Sequence, residues 1–226
     1  MATSKAQRTG ILVIAIVMLI GTIFSFFTII LQNSNAQIDA ERTSKEQEQM
    51  QKEFDEWNKK YTAYQEEVKK ESEAIEKKYG SLIKDQKDAP AKFDESKVKE
   101  LKIKDIKKGD GEDVKDINSM RAYYIGWNKD GKDFDSSIDS DGNLKAPLDT
   151  SMGVIEGWNK GVEGMKIGGV RELTIPSDLA YGSSSPGDDI PANSALKFIL
   201  VALPASKIKE PAMSESLNEA LMQQPL

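Results

Sequence analysis

The pattern of apolar and polar positions divides the chain before any motif is considered. Residues 11–31, ILVIAIVMLIGTIFSFFTIIL, carry no charge. About 20 apolar residues at ~1.5 Å rise each span a hydrocarbon core of ~30 Å, and this run has no polar stripe to face water. It predicts a transmembrane helix. Lys5 and Arg8 precede it, while QNSNAQIDAE after it has neither Lys nor Arg. That asymmetry puts residues 1–10 in the cytoplasm and the rest of the chain outside the membrane. Ser34 and Ala36 offer a small-x-small cleavage site. The apolar run is longer than the ~7–15 residues of a signal peptide, so an uncleaved anchor is expected.

Residues 32–80 change to a Glu-, Lys- and Gln-rich composition without Pro. Met50, Phe54, Trp57, Tyr61, Tyr64 and Val68 recur at alternating spacings of 4 and 3, and Ile75 continues the row after Glu71 interrupts it. This is a heptad seam and predicts a long helix. Its partner is open: a second copy in a coiled-coil homodimer, the folded part of the same chain, or a client polypeptide. Four consecutive aromatics are unusual in a coiled coil, and the plainest reading is a spacer helix resting its stripe on another part of the chain. Gly80 is expected to cap the helix and Pro90 to prevent its resumption, leaving 81–96 as a linker.

From 97 to 204 the period shortens. ELKIKDI, SMRAYYIGW, GVRELTI and ALKFILVAL read as strands, and Asp130-Gly131 as a hairpin turn. ALKFILVAL is apolar nearly throughout and is expected at the centre of the sheet. Trp158, Val162 and Met165 fall at i, i+4 and i+7, one face of a short helix packed on that sheet. The expected class is α+β, an antiparallel half-barrel sheet wrapped on a short helix. Residues 205–226 form a polar tail with room for one short helix between its prolines.

Composition then narrows the chemistry. The 226 residues include no Cys and no His. Thiol nucleophiles, disulfides, the Ser-His-Asp constellation and Cys- or His-based metal sites are excluded. A formal net charge of -6 argues against a nucleic-acid partner. DSDGN at 139–143 hints at a calcium loop, but the first and twelfth ligand positions would be Ser137 and Leu148. The glycines of GWNKGVEGMKIGG are not spaced as a phosphate-binding loop. Neither a metal nor a cofactor is expected.

Three blocks, YIGWNKDGKDFDSS, VIEGWNKGVEGMKIGGVRELTIPSDLAYG and IPANSALKFILVAL, occur in this order. Together with LKIKDIKKGDG they resemble the successive signatures of the FKBP-type peptidyl-prolyl cis-trans isomerases. The resemblance spans 97–204, about half of the chain, and implies that family's half-barrel and its reaction on X-Pro bonds. It also implies site roles. Trp158 would be the floor under the proline ring, with Tyr124, Phe134, Val154, Ile155 and Phe198 as walls. The Ile155 N–H and the Tyr181 hydroxyl would donate to substrate carbonyls. Asp135 would orient groups at the pocket edge, and Ile190 would lie in the overhanging loop. Leu144 stands where the family commonly has an aromatic wall. GSSSPGDDIP lacks the family's frequent His and brings Asp188 and Asp189 to the rim. Without the resemblance, Trp158, Phe134 and Phe198 read as ordinary core and Asp135 as a turn-former.

Such a site answers how a chain without imidazole or thiol could be an enzyme. Rotation about an X-Pro bond moves no proton. Its barrier, ~18–20 kcal/mol, is amide resonance. The expectation is a membrane-anchored isomerase outside the cytoplasm, serving proline-containing clients among exported or envelope proteins. Its rivals are a proline-segment binding module or holdase without turnover, and a structural head on a functional stalk.

Overall fold

A computed structural model describes residues 36–222. The apolar run 11–31 lies outside them. Among the described residues no helix is long and apolar enough to cross a membrane.

Two compact units divide the chain. The smaller includes residues 36–64 and 210–222. It is built from the first part of helix α1 (Ala36–Lys84) and from α3 (Glu215–Met222). Phe54, Trp57 and Leu217 are its buried residues, flanked by Met50, Tyr61 and Met213. The first part of the seam, Met50 to Tyr61, is thus covered by the chain's own C-terminal segment. The Trp57 Nε1–H donates to the Pro211 carbonyl at 3.2 Å, and Ser214 and Ser216 hydroxyls donate to Glu53 at 2.9 and 2.6 Å.

The larger unit, Gln65–Lys209, holds a six-stranded antiparallel sheet. Its strands are β1 (Lys102–Lys107), β2 (Met120–Trp127), β3 (Asp133–Ser136), β4 (Leu148–Asp149), β5 (Val170–Ile175) and β6 (Leu196–Pro204). The order is β1-β5-β6-β2-β3, with β4 also on β2. β6 is central, as its unbroken apolar run predicts: Leu196, Ile199, Leu200, Val201, Ala202 and Leu203 are all buried. Helix α2 (Glu156–Gly161) follows β4. Gly157 and Gly161 let it approach β5, because a Cβ at either would stand 2.4 Å from Ile175 or Leu173. Trp158, Val162 and Met165 are buried, as the 4, 7 spacing predicts.

Side chains alternate across β2. Arg121 meets Glu71 of α1 at 2.7 Å, whereas Tyr124 meets Trp158 of α2. The second part of α1 therefore packs on one sheet face and α2 on the other, which explains why β6 reads as apolar on both sides. Ile75, Tyr79 and Ile83 of α1 belong to the same core cluster as β6.

Three sequence expectations are corrected here. The helix does not stop at Gly80 but continues to Lys84. Gly80 serves close approach instead of capping, since a Cβ there would stand 2.9 Å from Leu144 Cδ1. Residues 81–96 are not a free linker: Ile83 is fully buried, Ala91 O accepts from Trp127 Nε1, and Phe93 N donates to Lys129 O. Glu71, which breaks the apolar row, is where α1 meets a buried arginine. Its carboxylate also accepts from Ser206.

Candidate active site

The site is assembled by the register of β2 against β6, which pairs Gly126 with Phe198. A Cβ on Gly126 would lie 2.5 Å from the Phe198 ring and 2.9 Å from Phe134 Cζ, so glycine lets the two rings converge there. Phe134 and Phe198 meet edge to face at 5.6 Å between centroids. Phe198 meets Trp158 in the same manner at 5.3 Å, and Trp158 meets Tyr124 at 5.4 Å. These edge-to-face contacts suit the ring quadrupoles. They join rings from β2, β3, α2 and β6 into one apolar surface. Trp158 is 3% exposed, and its Nε1–H is buried without a hydrogen-bond partner among the described residues.

Polar groups stand along one side of this surface. The Tyr124 hydroxyl donates to Asp135 in a short hydrogen bond. Asp135 also accepts from the Ser136 N–H at 2.8 Å and faces Lys145 Nζ at 3.7 Å. Lys145 in turn donates to the Ser136 carbonyl at 2.6 Å. Burial, and then the bond to Asp135, pushes the Tyr124 phenol well above its usual range. Burial first and the Asp135 charge second also raise Tyr181, which remains 38% exposed. Both phenols hold their protons at neutral pH; Tyr124 gives its own to Asp135, and the Tyr181 hydroxyl is the one that can donate to a ligand.

Val154 and Ile155 are half-buried against the same core, and Ile155 is the extended residue that precedes α2. Its carbonyl accepts from Trp158 N at 2.9 Å, and its N–H takes no acceptor among the described residues. Ile190 is buried in the loop after Tyr181 and bridges to Gly187. Leu144 packs on the same core, and its Cδ1 meets α1 at Gly80. Sequence reasoning missed Lys145 and also Asn128, which is buried at the base of the β2–β3 hairpin. For Lys145 no local signal exists. For Asn128 the signal was its place two residues before the Asp130-Gly131 turn.

Among the described residues, no cluster of three or more acidic side chains could hold a metal ion. What the arrangement offers is an apolar aromatic surface with protonated donors beside it. That suits binding a neutral, ring-bearing segment and holding its carbonyls, without proton transfer.

Comparison with known proteins gives the family. The family model for FKBP-type peptidyl-prolyl cis-trans isomerase matches residues 111–202. An FK506-binding protein of Neisseria meningitidis serogroup B is 40% identical over 101 residues, covering 43% of this chain and 89% of that protein. A probable FK506-binding protein of Corynebacterium glutamicum is 37% identical over 102 residues, covering 45% and 83%. The crystal structure of AtFKBP13 is 31% identical, covering 47% of this chain and 93% of that one, with a TM-score of 0.40. The chain belongs to the FKBP-type peptidyl-prolyl cis-trans isomerases. It is an enzyme that interconverts cis and trans X-Pro bonds.

Proposed function

We propose that the ring cluster is the substrate pocket and that the enzyme works from a membrane anchor on exported polypeptides. The observation that carries the pocket is the convergence of Tyr124, Phe134, Trp158 and Phe198, with the protonated Tyr181 phenol near them. In this reading the proline ring rests on Trp158, between Phe134, Phe198, Val154 and Ile190. The Ile155 N–H and the Tyr181 hydroxyl hold the carbonyls that flank the bond. Asp135 orders Tyr124 and the pocket edge.

A planar amide is more charge-separated than the twisted one. An apolar wall therefore disfavours the planar form, and fixed donors favour the twisted geometry. Unaided X-Pro exchange takes tens to hundreds of seconds, slow enough to limit folding. The uncharged run 11–31, preceded by Lys5 and Arg8, supports anchoring with the enzyme outside the cytoplasm. Exported proteins passing that face are the clients this location favours.

A protease-coupled proline-peptide assay on the full chain in detergent tests the pocket. Rate acceleration that disappears in Trp158→Ala and drops in Tyr181→Phe supports it. Peptide binding with uncatalysed exchange would favour a binding module. Retention in membranes after carbonate washing, with the enzyme open to external protease, supports the anchor. A shortened soluble form beginning near Gln37 would show cleavage instead.

A further inference from the structure

The hairpin that carries Phe134 and Asp135 and the loop that carries Ile190 are separate in sequence, yet one buried side chain joins them. Asn128 is 8% exposed. Its Oδ1 accepts from the Asp130 and Lys132 N–H groups at 3.0 and 3.2 Å, which closes the β2–β3 turn. Its Nδ2 donates at 2.9 Å to the carbonyl of Asp189, the residue before Ile190. Lys132 Nζ pairs with the Asp189 carboxylate at 2.5 Å, from the same hairpin to the same residue. On its other side the loop is closed within itself. The Ile190 N–H donates to Gly187 O, the Ser185 hydroxyl to Ile190 O at 2.9 Å, and the Asn193 N–H to Gly182 O at 2.6 Å. Asn193 adopts φ 62°, which fixes the turn where the loop returns.

From this geometry we infer that Asn128 is a positioning residue for the isomerase. It latches the Ile190 loop to the Phe134–Asp135 hairpin, so that the rim of the pocket is set before substrate arrives. The inference rests on the pocket assignment above, because it matters for catalysis only if Ile190 borders the substrate. A loop of polar and small residues, GSSSPGDD, has little apolar burial of its own to hold it, Ile190 excepted. Its position is therefore set by the few polar bonds at its ends. A preset rim lowers the ordering cost of binding and leaves the chemistry of rotation untouched. The latch therefore acts on KM for substrates whose residue before proline reaches the rim. It leaves kcat and the handling of small residues alone.

The test uses the full chain in detergent, with two peptide series in which the residue before proline is Leu or Gly. Asn128→Asp keeps Oδ1 for the hairpin amides and puts a charged acceptor where the donor to Asp189 stood, so Asn128→Ser, which removes the donor without adding charge, is run beside it and is expected to show the same split. Lys132→Met removes the ion pair without touching the hairpin turn. For Asn128→Asp, KM for the Leu-Pro peptide is expected to rise roughly five- to tenfold, the order of one net hydrogen bond, while kcat and the Gly-Pro values stay within about twofold. Hydrogen exchange at the Ile190 N–H accelerates in parallel, and exchange within β6 does not. Lys132→Met shows the same split with smaller amplitude, and added salt makes wild type approach it. Equal losses on both peptides, or kcat falling with KM unchanged, would overturn the latch. Ile190→Ala separates the two levels. If it shifts the Leu-to-Gly preference while Asn128→Asp and Lys132→Met do not, the latch is wrong and the pocket stands. If Ile190→Ala also leaves the preference unmoved, both are wrong.

Discussion

Two tryptophans in this chain sit in aromatic clusters of opposite construction. Trp57 lies on a single helix beside Phe54 and Tyr61, stacks on Tyr61 at 4.8 Å and 20°, and spends its N–H on the Pro211 carbonyl. Trp158 lies in a cluster of rings drawn from three strands, meets Tyr124 and Phe198 edge to face, and has no partner for its N–H among the described residues. The first cluster is a stripe made by local periodicity and covered by a short tail helix. The second requires a strand register, a glycine at 126 and a helix seated by Gly157 and Gly161. A helix of eight residues is marginal alone, so the cover over Trp57 is a low-stability element. The surface around Trp158 is held by the whole sheet. Aromatic content alone does not distinguish a site from a contact; the path by which the rings are brought together does.

The comparison breaks most visibly under truncation. Trp158→Ala is expected to cost roughly 3–5 kcal/mol of stability through the cavity it leaves, and to abolish measurable isomerisation. Trp57→Ala is expected to loosen residues 210–222 and leave kcat/KM unchanged. Denaturation midpoints and the proline-peptide assay read both. Next in size is Glu71→Ala. It strands Arg121, whose side chain is 9% exposed, and Glu71 itself is 24% exposed. A loss of about 2–3 kcal/mol follows, below that of a fully buried pair. Glu71→Gln recovers part of it if the hydrogen bond matters as well as the charge.

Tyr181→Phe should lower kcat/KM about tenfold, or ~1.4 kcal/mol of transition-state stabilisation, with the unfolding midpoint nearly unchanged because the phenol is partly exposed. Replacing the corresponding polar bond of the other cluster, by Glu53→Gln, changes no isomerase parameter. The smallest effect is that of pH. Activity is expected to be flat between about pH 6 and 8, since the chain has no His and the phenols near the rings stay protonated. Stability behaves differently at high pH. Burial pushes the Tyr123 phenol up from 10.0 to about 12. A folded-state value raised above the unfolded one gives stability that is complete below the unfolded value. It is lost as pH climbs through the folded one. Denaturation midpoints should therefore hold to about pH 9 and fall between 10 and 12.

Much of this was legible in the sequence for physical reasons. β6 announced itself because burial on both faces demands an unbroken apolar run. Trp158, Val162 and Met165 announced α2 through their spacing, although the helix itself ends at Gly161. The Asp130-Gly131 turn was legible from the glycine, which takes φ +78°. Three features were hidden because their partners are distant. Gly80 reads as a helix stop by local rules, yet it is the point where α1 passes Leu144. Glu71 reads as a broken seam, yet its partner lies 50 positions away on β2. The latter part of 81–96 looks free, yet the Ala91 carbonyl and the Phe93 N–H bind the β2–β3 hairpin. At the candidate site, the residue types followed from the family resemblance. The ring geometry, Lys145 beside Asp135 and the reach of Asn128 to Asp189 followed only from the folded register.

The most direct measurement is an intermolecular NOE experiment on the full chain in detergent with a saturating X-Pro peptide undergoing catalysed exchange. Cross-peaks between the proline ring protons and the Trp158 indole, with none to Trp57, are the predicted result. Proline contacts to Trp57 and not Trp158, while the peptide still exchanges at the catalysed rate, would contradict the assignment of the ring cluster as the site.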